Sequence, residues 1–136
     1  YLKNETFMLT YGDGLSDINL KKLVRFHKKH KKISTLTSAR PPARFGAIKI
    51  NGDQVTYFKE KSKLDEGWIN GGFFVFEPEI FKFINSDYTY LEREPLQNIS
   101  KRKQLYAYKH HGFWQCMDTM RDKELLEKVF KSKFRI

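Results

Sequence analysis

Apolar and polar positions change period several times along the chain, and each change marks an element. Residues 6–11 (TFMLTY) form a short run of β-type side chains that stops at Gly12. Leu20, Leu23, Val24 and His27 then recur at helical spacing. They predict a helix over about residues 17–31, capped by Ser16 or Asp17. Residues 33–39 return to strand composition. Strand, helix and strand at this length make a βαβ unit, which sets the two strands parallel.

Arg40-Pro41-Pro42 breaks the pattern. Residues 46–50 and 54–60 follow as two short strands around Asn51-Gly52, a strong hairpin signal. Residues 69–76 (INGGFFVF) are a further, very apolar strand. Glu77-Pro78-Glu79 opens a helix with proline near its first position. Residues 96–101 read as helix and 105–110 as strand. Asp118 or Thr119 caps a terminal helix whose apolar face is Leu125, Leu126, Val129 and Phe130. The sum is an α/β fold, a mixed, mostly parallel sheet flanked by helices, as one domain or a piece of one.

A length of 136 residues suits one domain, and a 40% apolar content suffices for a core. The net charge of +10 invites an anionic partner: nucleic acid, a membrane surface or a phosphorylated substrate. Cys116 is the only cysteine, which excludes an intramolecular disulfide and a cysteine-based zinc site and fits a reducing, cytoplasmic setting. No apolar run is long enough to cross a membrane, and no signal peptide is visible. The chain opens on Tyr1 rather than Met, as a trimmed protein or one part of a longer protein does.

Chemistry concentrates where strands end. In open α/β sheets, ligands bind beyond the carboxyl ends of the strands, and Asp13 sits at such an end between Gly12 and Gly14. A carboxylate there either holds a hard cation such as magnesium or satisfies backbone donors in a tight turn. Asp118 in FWQCMDT is a second carboxylate after an apolar extended stretch, and either pairs with Asp13 on a metal or caps the last helix. Lys61 in FKEK is a phosphate-binding point charge or an ordinary exposed lysine. Asn70 precedes Gly71-Gly72 inside a strand, which signals either close approach of a hydroxyl-rich ligand or a β-bulge. The basic run KKLVRFHKKHKK surrounds an apolar stripe, as any solvated amphipathic helix does, and no nucleic-acid-reading signature accompanies it. His110 and His111 point to opposite faces if extended, so they do not share one ion. Cys116 has no local base and reads as a buried small hydrophobe.

Four stretches in series, TYGDGLSDIN, RPPARFG, GWINGGFFVFEPEIF and AYKHHGFWQCMDTMRDKELLE, closely resemble the glucose-1-phosphate cytidylyltransferases, a branch of the sugar-1-phosphate nucleotidyltransferases. The resemblance runs over essentially the whole chain. It implies a Rossmann-like nucleotide-diphospho-sugar transferase fold. It also implies magnesium held by Asp13 and Asp118, and a sugar phosphate held by Gly46, Glu60, Lys61, Asn70 and Gly71. The implied reaction joins glucose 1-phosphate to CTP, giving CDP-glucose and pyrophosphate, with no nucleic acid or membrane involved. The family's N-terminal glycine-rich loop, which cradles the triphosphate, has no counterpart here, and Ser62 stands where the family usually has proline. Residues 1–136 are therefore expected to be a single partial domain, the sugar-phosphate- and metal-binding half. This half is expected to be inactive alone, with a full-length form that is a homo-oligomer. Two other classes stay open: a nucleotide-sugar-dependent glycosyltransferase, against which stands the lack of a second Asp two residues after Asp13, and a basic nucleic-acid-binding module.

Overall fold

The computed structural model describes residues 2, 4–41, 47–59 and 67–133. Its main sheet has four strands: β1 (Phe7–Thr10), β3 (Ser34–Ala39), β6 (Ile69–Phe76) and β7 (Leu105–Lys109), in the order β1-β6-β3-β7. β6 is antiparallel to both β1 and β3, whereas β3 and β7 are parallel. Three strands thus run one way and β6 the other: the sheet is mixed, as the pattern predicts, but it is not mostly parallel, because β6 sits between β1 and β3 and makes two of the three pairings antiparallel. The first strand–helix–strand unit does set β1 and β3 in the same direction. However, the two are not neighbours, because β6 inserts between them. That order is fixed by packing between distant segments, which local periodicity does not encode.

Alternation along the strands divides the molecule into three layers. Phe74, Phe76 and Leu36 face a core completed by Ile80, Leu96 and Ile99. These last three come from a 3₁₀ turn at Pro78–Phe83 and from α2 (Glu94–Lys101). Thr35, on the opposite face of β3, meets α1 (Leu20–His30) through the buried His27. The α1 stripe is narrower than its spacing suggests: Leu23 and His27 are buried, but Leu20 is exposed. The basic side chains lie around that stripe. The N-cap of α1 is neither Ser16 nor Asp17 but Asn19, whose Oδ1 accepts from the Lys22 N–H at 2.9 Å. Ser16 is instead in a strand, and Asp17 pairs with His110 at 3.0 Å.

A hydrogen-bond relay joins α1 to the sheet, and each proton has a fixed place. The Lys32 N–H donates to His30 Nδ1 at 3.0 Å, so the proton of a neutral His30 is on Nε2. That N–H donates to Thr35 Oγ1 at 2.7 Å, and the Thr35 hydroxyl donates to His27 Nδ1 at 2.8 Å. His27 Nε2–H then donates to Glu77 at 3.0 Å. Protonating His30 would set an N–H against the Lys32 N–H. Burial, then the neighbouring His27 and Lys32, hold the His30 pKa below its ordinary value. The folded state therefore favours neutral His30. Its stabilising contribution is complete above the unfolded value of about 6.5 and is lost as pH falls through the folded value. Urea unfolding at pH 8 and pH 5.5 is expected to show a larger acid loss in the wild type than in His30→Gln. Equal losses would remove this relay as the cause.

Two smaller ladders flank the sheet. β4 (Ala47–Asn51) and β5 (Gln54–Lys59) form the expected hairpin, turning at Gly52, whose φ is +59°, and Asp53. The other ladder is absent from the periodicity reading. β2 (Gly14–Ser16) pairs antiparallel with β8 (Trp114–Cys116), with Gly14 opposite Cys116 and Ser16 opposite Trp114. α3 (Met120–Lys133) follows β8. Its cap is Thr119, whose Oγ1 accepts from the Asp122 N–H at 3.2 Å while Asp122 accepts from the Thr119 N–H at 3.1 Å. This is a reciprocal capping box. Leu125 and Phe130, two residues of its expected apolar face, are exposed. Among the described residues, no helix is long and apolar enough to cross a membrane.

Candidate functional site

The short β2–β8 ladder pairs the two chain segments that carry the carboxylates the motifs single out. Its pairing extends past Gly14 by a bond from the Met117 N–H to the Asp13 carbonyl at 2.8 Å. Asp13 therefore lies opposite Met117, diagonal to Asp118, and both carboxylate side chains are exposed. Asp118 is not the cap of α3, since Thr119 fills that role. Its Oδ2 accepts from the Cys116 thiol at 3.0 Å. Cys116 is thus half-buried and polar in its contact, rather than the buried hydrophobe expected.

The glycines of INGGFF place β6 against this ladder. Between Leu36↔Phe74 and Ser38↔Asn70 the register shifts, so β6 carries a bulge at Gly71 and Gly72. Gly72 has φ +75°, and a Cβ there would come within 2.9 Å of the Tyr11 ring. A Cβ on Gly71 would come within 3.0 Å of the Thr37 carbonyl. The Gly71 carbonyl accepts from Trp114 Nε1 at 2.8 Å, which ties the bulge to β8. Asn70 accepts from the Gly72 N–H through Oδ1 at 3.0 Å, so its Nδ2 faces the other way, toward the Tyr11 hydroxyl at 3.5 Å. Of the two alternatives set out for this stretch, the β-bulge is present. The bulge is what aims the carboxamide.

Tyr11 itself is fixed by a backbone bond to Gly72 at 2.9 Å and by ring contact with Phe74 at 5.5 Å. Its hydroxyl donates to Glu92. Burial, and then the bond to Glu92, push this hydroxyl above the usual tyrosine range, so it stays a protonated donor. His110 and His111 do part: His110 goes to Asp17 and the Phe113 carbonyl, and His111 lies edge-on to Trp68 at 5.3 Å. The Arg40 guanidinium stacks on Trp68 at 4.7 Å, so a cation lines the cleft formed by Trp68, His111 and Trp114.

Backbone pairing thus sets Asp13 opposite Met117, the residue before Asp118, and the Trp114–Gly71 bond holds the Asn70–Gly71 stretch against the same ladder. Gly46, Glu60 and Lys61 lie outside the described residues. Sequence reasoning missed Tyr11, Glu92 and Trp114. Tyr11 and Trp114 read as strand apolar residues, and Glu92 carries no local signal at all.

A nucleotidyl transferase family profile matches residues 1–121. The chain belongs to the nucleotidyl transferase family. It is 48% identical over 132 residues to the glucose-1-phosphate cytidylyltransferase of Salmonella typhimurium, covering 96% of this chain and 51% of that protein. It is 30% identical over 128 residues to the mannose-1-phosphate guanyltransferase beta-A of Xenopus laevis, covering 90% of this chain and 35% of that protein. The crystal structure of HddC from Yersinia pseudotuberculosis has a TM-score of 0.66 at 17% identity, over 96% of this chain and 57% of that one. That likeness concerns the fold, which is the α/β architecture expected from the pattern. The chain spans about half the length of the Salmonella relative.

Proposed function

We propose that the polypeptide carrying this chain transfers a cytidylyl group from CTP to glucose 1-phosphate, giving CDP-glucose and pyrophosphate. One observation supports the reading: the backbone segments that carry Asp13 and Asp118, far apart in sequence, pair in one ladder, and Trp114 of that ladder bonds to the Gly71 carbonyl. The greater identity to a cytidylyltransferase than to a guanyltransferase supports CTP as the nucleotide.

Asp13 and Asp118 would hold magnesium. Both are hard oxygen donors at an exposed corner. Among the described residues no group of three or more His, Cys, Asp or Glu could hold an ion, so phosphate oxygens and water would complete the shell, as magnesium prefers. A bound magnesium supplies charge compensation to those phosphate oxygens. Asn70 and Gly71 offer polar groups to the sugar. Gly46, Glu60 and Lys61 are assigned to the sugar phosphate by resemblance. In the reaction a sugar-phosphate oxygen bonds to the α-phosphorus of CTP as the bond to the β-phosphate oxygen breaks. Positioning and electrostatics carry most of the catalysis. This half alone is inactive in this account, because the residues that cradle the triphosphate belong to the other half of the relatives. A single cysteine suits the reducing cytoplasm, where we place the reaction. The full-length form is a homo-oligomer in this account. Ile50 at 60% and Phe58 at 68% exposure on the hairpin support such self-association.

Calorimetric titration of the longest natural polypeptide containing this chain tests the site. Glucose 1-phosphate is expected to bind saturably, and more tightly with magnesium than with chelator. Metal-independent binding, or steeply salt-dependent binding of arbitrary duplex DNA in its place, would favour the basic-module reading.

A further inference from the structure

Asn70 is held at both ends of its carboxamide, and the second hold leads through Tyr11 to Glu92, which lies outside the motifs. Its Oδ1 is occupied by the Gly72 N–H at 3.0 Å. One N–H of Nδ2 points to the Tyr11 hydroxyl at 3.5 Å, which leaves the other as a donor. The Tyr11 hydroxyl has one proton, and the Glu92 carboxylate can only accept, so that proton goes to Glu92. The tyrosine oxygen is then left as an acceptor, which suits the amide and not a second acceptor. The polarity of the chain is set from both ends: the Gly72 N–H fixes Oδ1 of Asn70, and Glu92, by taking the Tyr11 proton, leaves the Tyr11 oxygen to accept from Nδ2. Glu92 is exposed and sits in the turn before α2, so no buried packing accounts for its place.

We propose that Glu92, acting through Tyr11, is a positioning residue that commits Asn70 to present an N–H donor to a sugar hydroxyl oxygen. The inference rests on the sugar-phosphate reading of the Asn70 corner. It adds two residues to that corner and a chemical preference: an acceptor oxygen is favoured at this point, and a protonated amine, which has no lone pair, is disfavoured.

Steady-state kinetics of the longest natural polypeptide containing this chain test it. Tyr11→Phe keeps the ring on Phe74 and Gly72 but removes the hydroxyl. Glu92→Ala removes the acceptor. Each is expected to raise KM for glucose 1-phosphate about 3–10-fold, the effect of one hydrogen bond, with kcat and KM for CTP little changed. Glu92→Gln keeps an acceptor and is expected to recover most of that loss. In an Asn70→Ala background, Glu92→Ala is expected to add nothing further. Wild-type turnover with unchanged sugar-phosphate KM in both variants would overturn the inference alone. An equal rise in both KM values would also overturn it, by showing a merely structural role. No turnover by the folded wild type would remove the nucleotidyltransferase reading, and the inference would fall with it.

Discussion

Asp118→Asn is expected to lower turnover of the polypeptide carrying this chain by more than about 100-fold while leaving its unfolding transition nearly in place. The size follows from the proposed metal role, since even residues that only support metal ligands cost about 10–100-fold when removed. The small stability effect follows from the local structure. An aspartate just before a helix is often its cap, and removing a cap costs about 1 kcal/mol. Here the cap is Thr119, reciprocated by Asp122, and the Asp118 carboxylate is exposed. Asparagine keeps the shape and an acceptor for the Cys116 thiol but removes the charge. A melting curve and an activity assay on one preparation separate the two effects. Turnover within a few-fold of wild type would take Asp118 out of the metal site. Joint loss of fold and activity would make it structural.

Phe74→Ala is expected to cost about 3–5 kcal/mol, the range for deleting a large buried aromatic ring. Phe74 is fully buried at the centre of the sheet, opposite Leu9 on β1 and Leu36 on β3. Its ring stacks on Phe76 at 5.2 Å and meets Tyr11 at 5.5 Å. Leu9, Leu36 and Leu96 share that cluster and can fill only part of the space a phenyl ring leaves. Domains of this kind are stable by only about 5–15 kcal/mol, so one substitution removes a large share. Because Tyr11 leans on the same ring, sugar-phosphate affinity is expected to fall before global unfolding. Urea denaturation gives the size. A loss under about 1 kcal/mol would show that the core is not centred on Phe74.

Elements with a clear period are legible in the sequence. β1, α1, β3, β6, the hairpin, β7 and α3 all lie within a few residues of the pattern. Strands β2 and β8 are not, for a physical reason: three residues cannot show an alternation, and their pairing joins segments far apart in sequence. The insertion of β6 between β1 and β3 is likewise a long-range choice. The caps were misplaced at α1 because Ser16, Asp17 and Asn19 are all good cap residues, and the β2–β8 ladder removes the first from competition. Of the site, Asp13, Asn70, Gly71 and Asp118 are legible because glycines and carboxylates at strand ends are unusual choices with few uses. The pairing of the segments that carry Asp13 and Asp118 is not legible, since it depends on β2 and β8. The Tyr11–Glu92 contact spans 81 residues, and Glu92 lies outside every motif.

The most direct measurement is pyrophosphate release by the longest natural polypeptide containing this chain, with magnesium, glucose 1-phosphate and each nucleoside triphosphate in turn. The account predicts release with CTP ahead of the other triphosphates. No release with any triphosphate from a folded protein, or release with another triphosphate ahead of CTP, would contradict it.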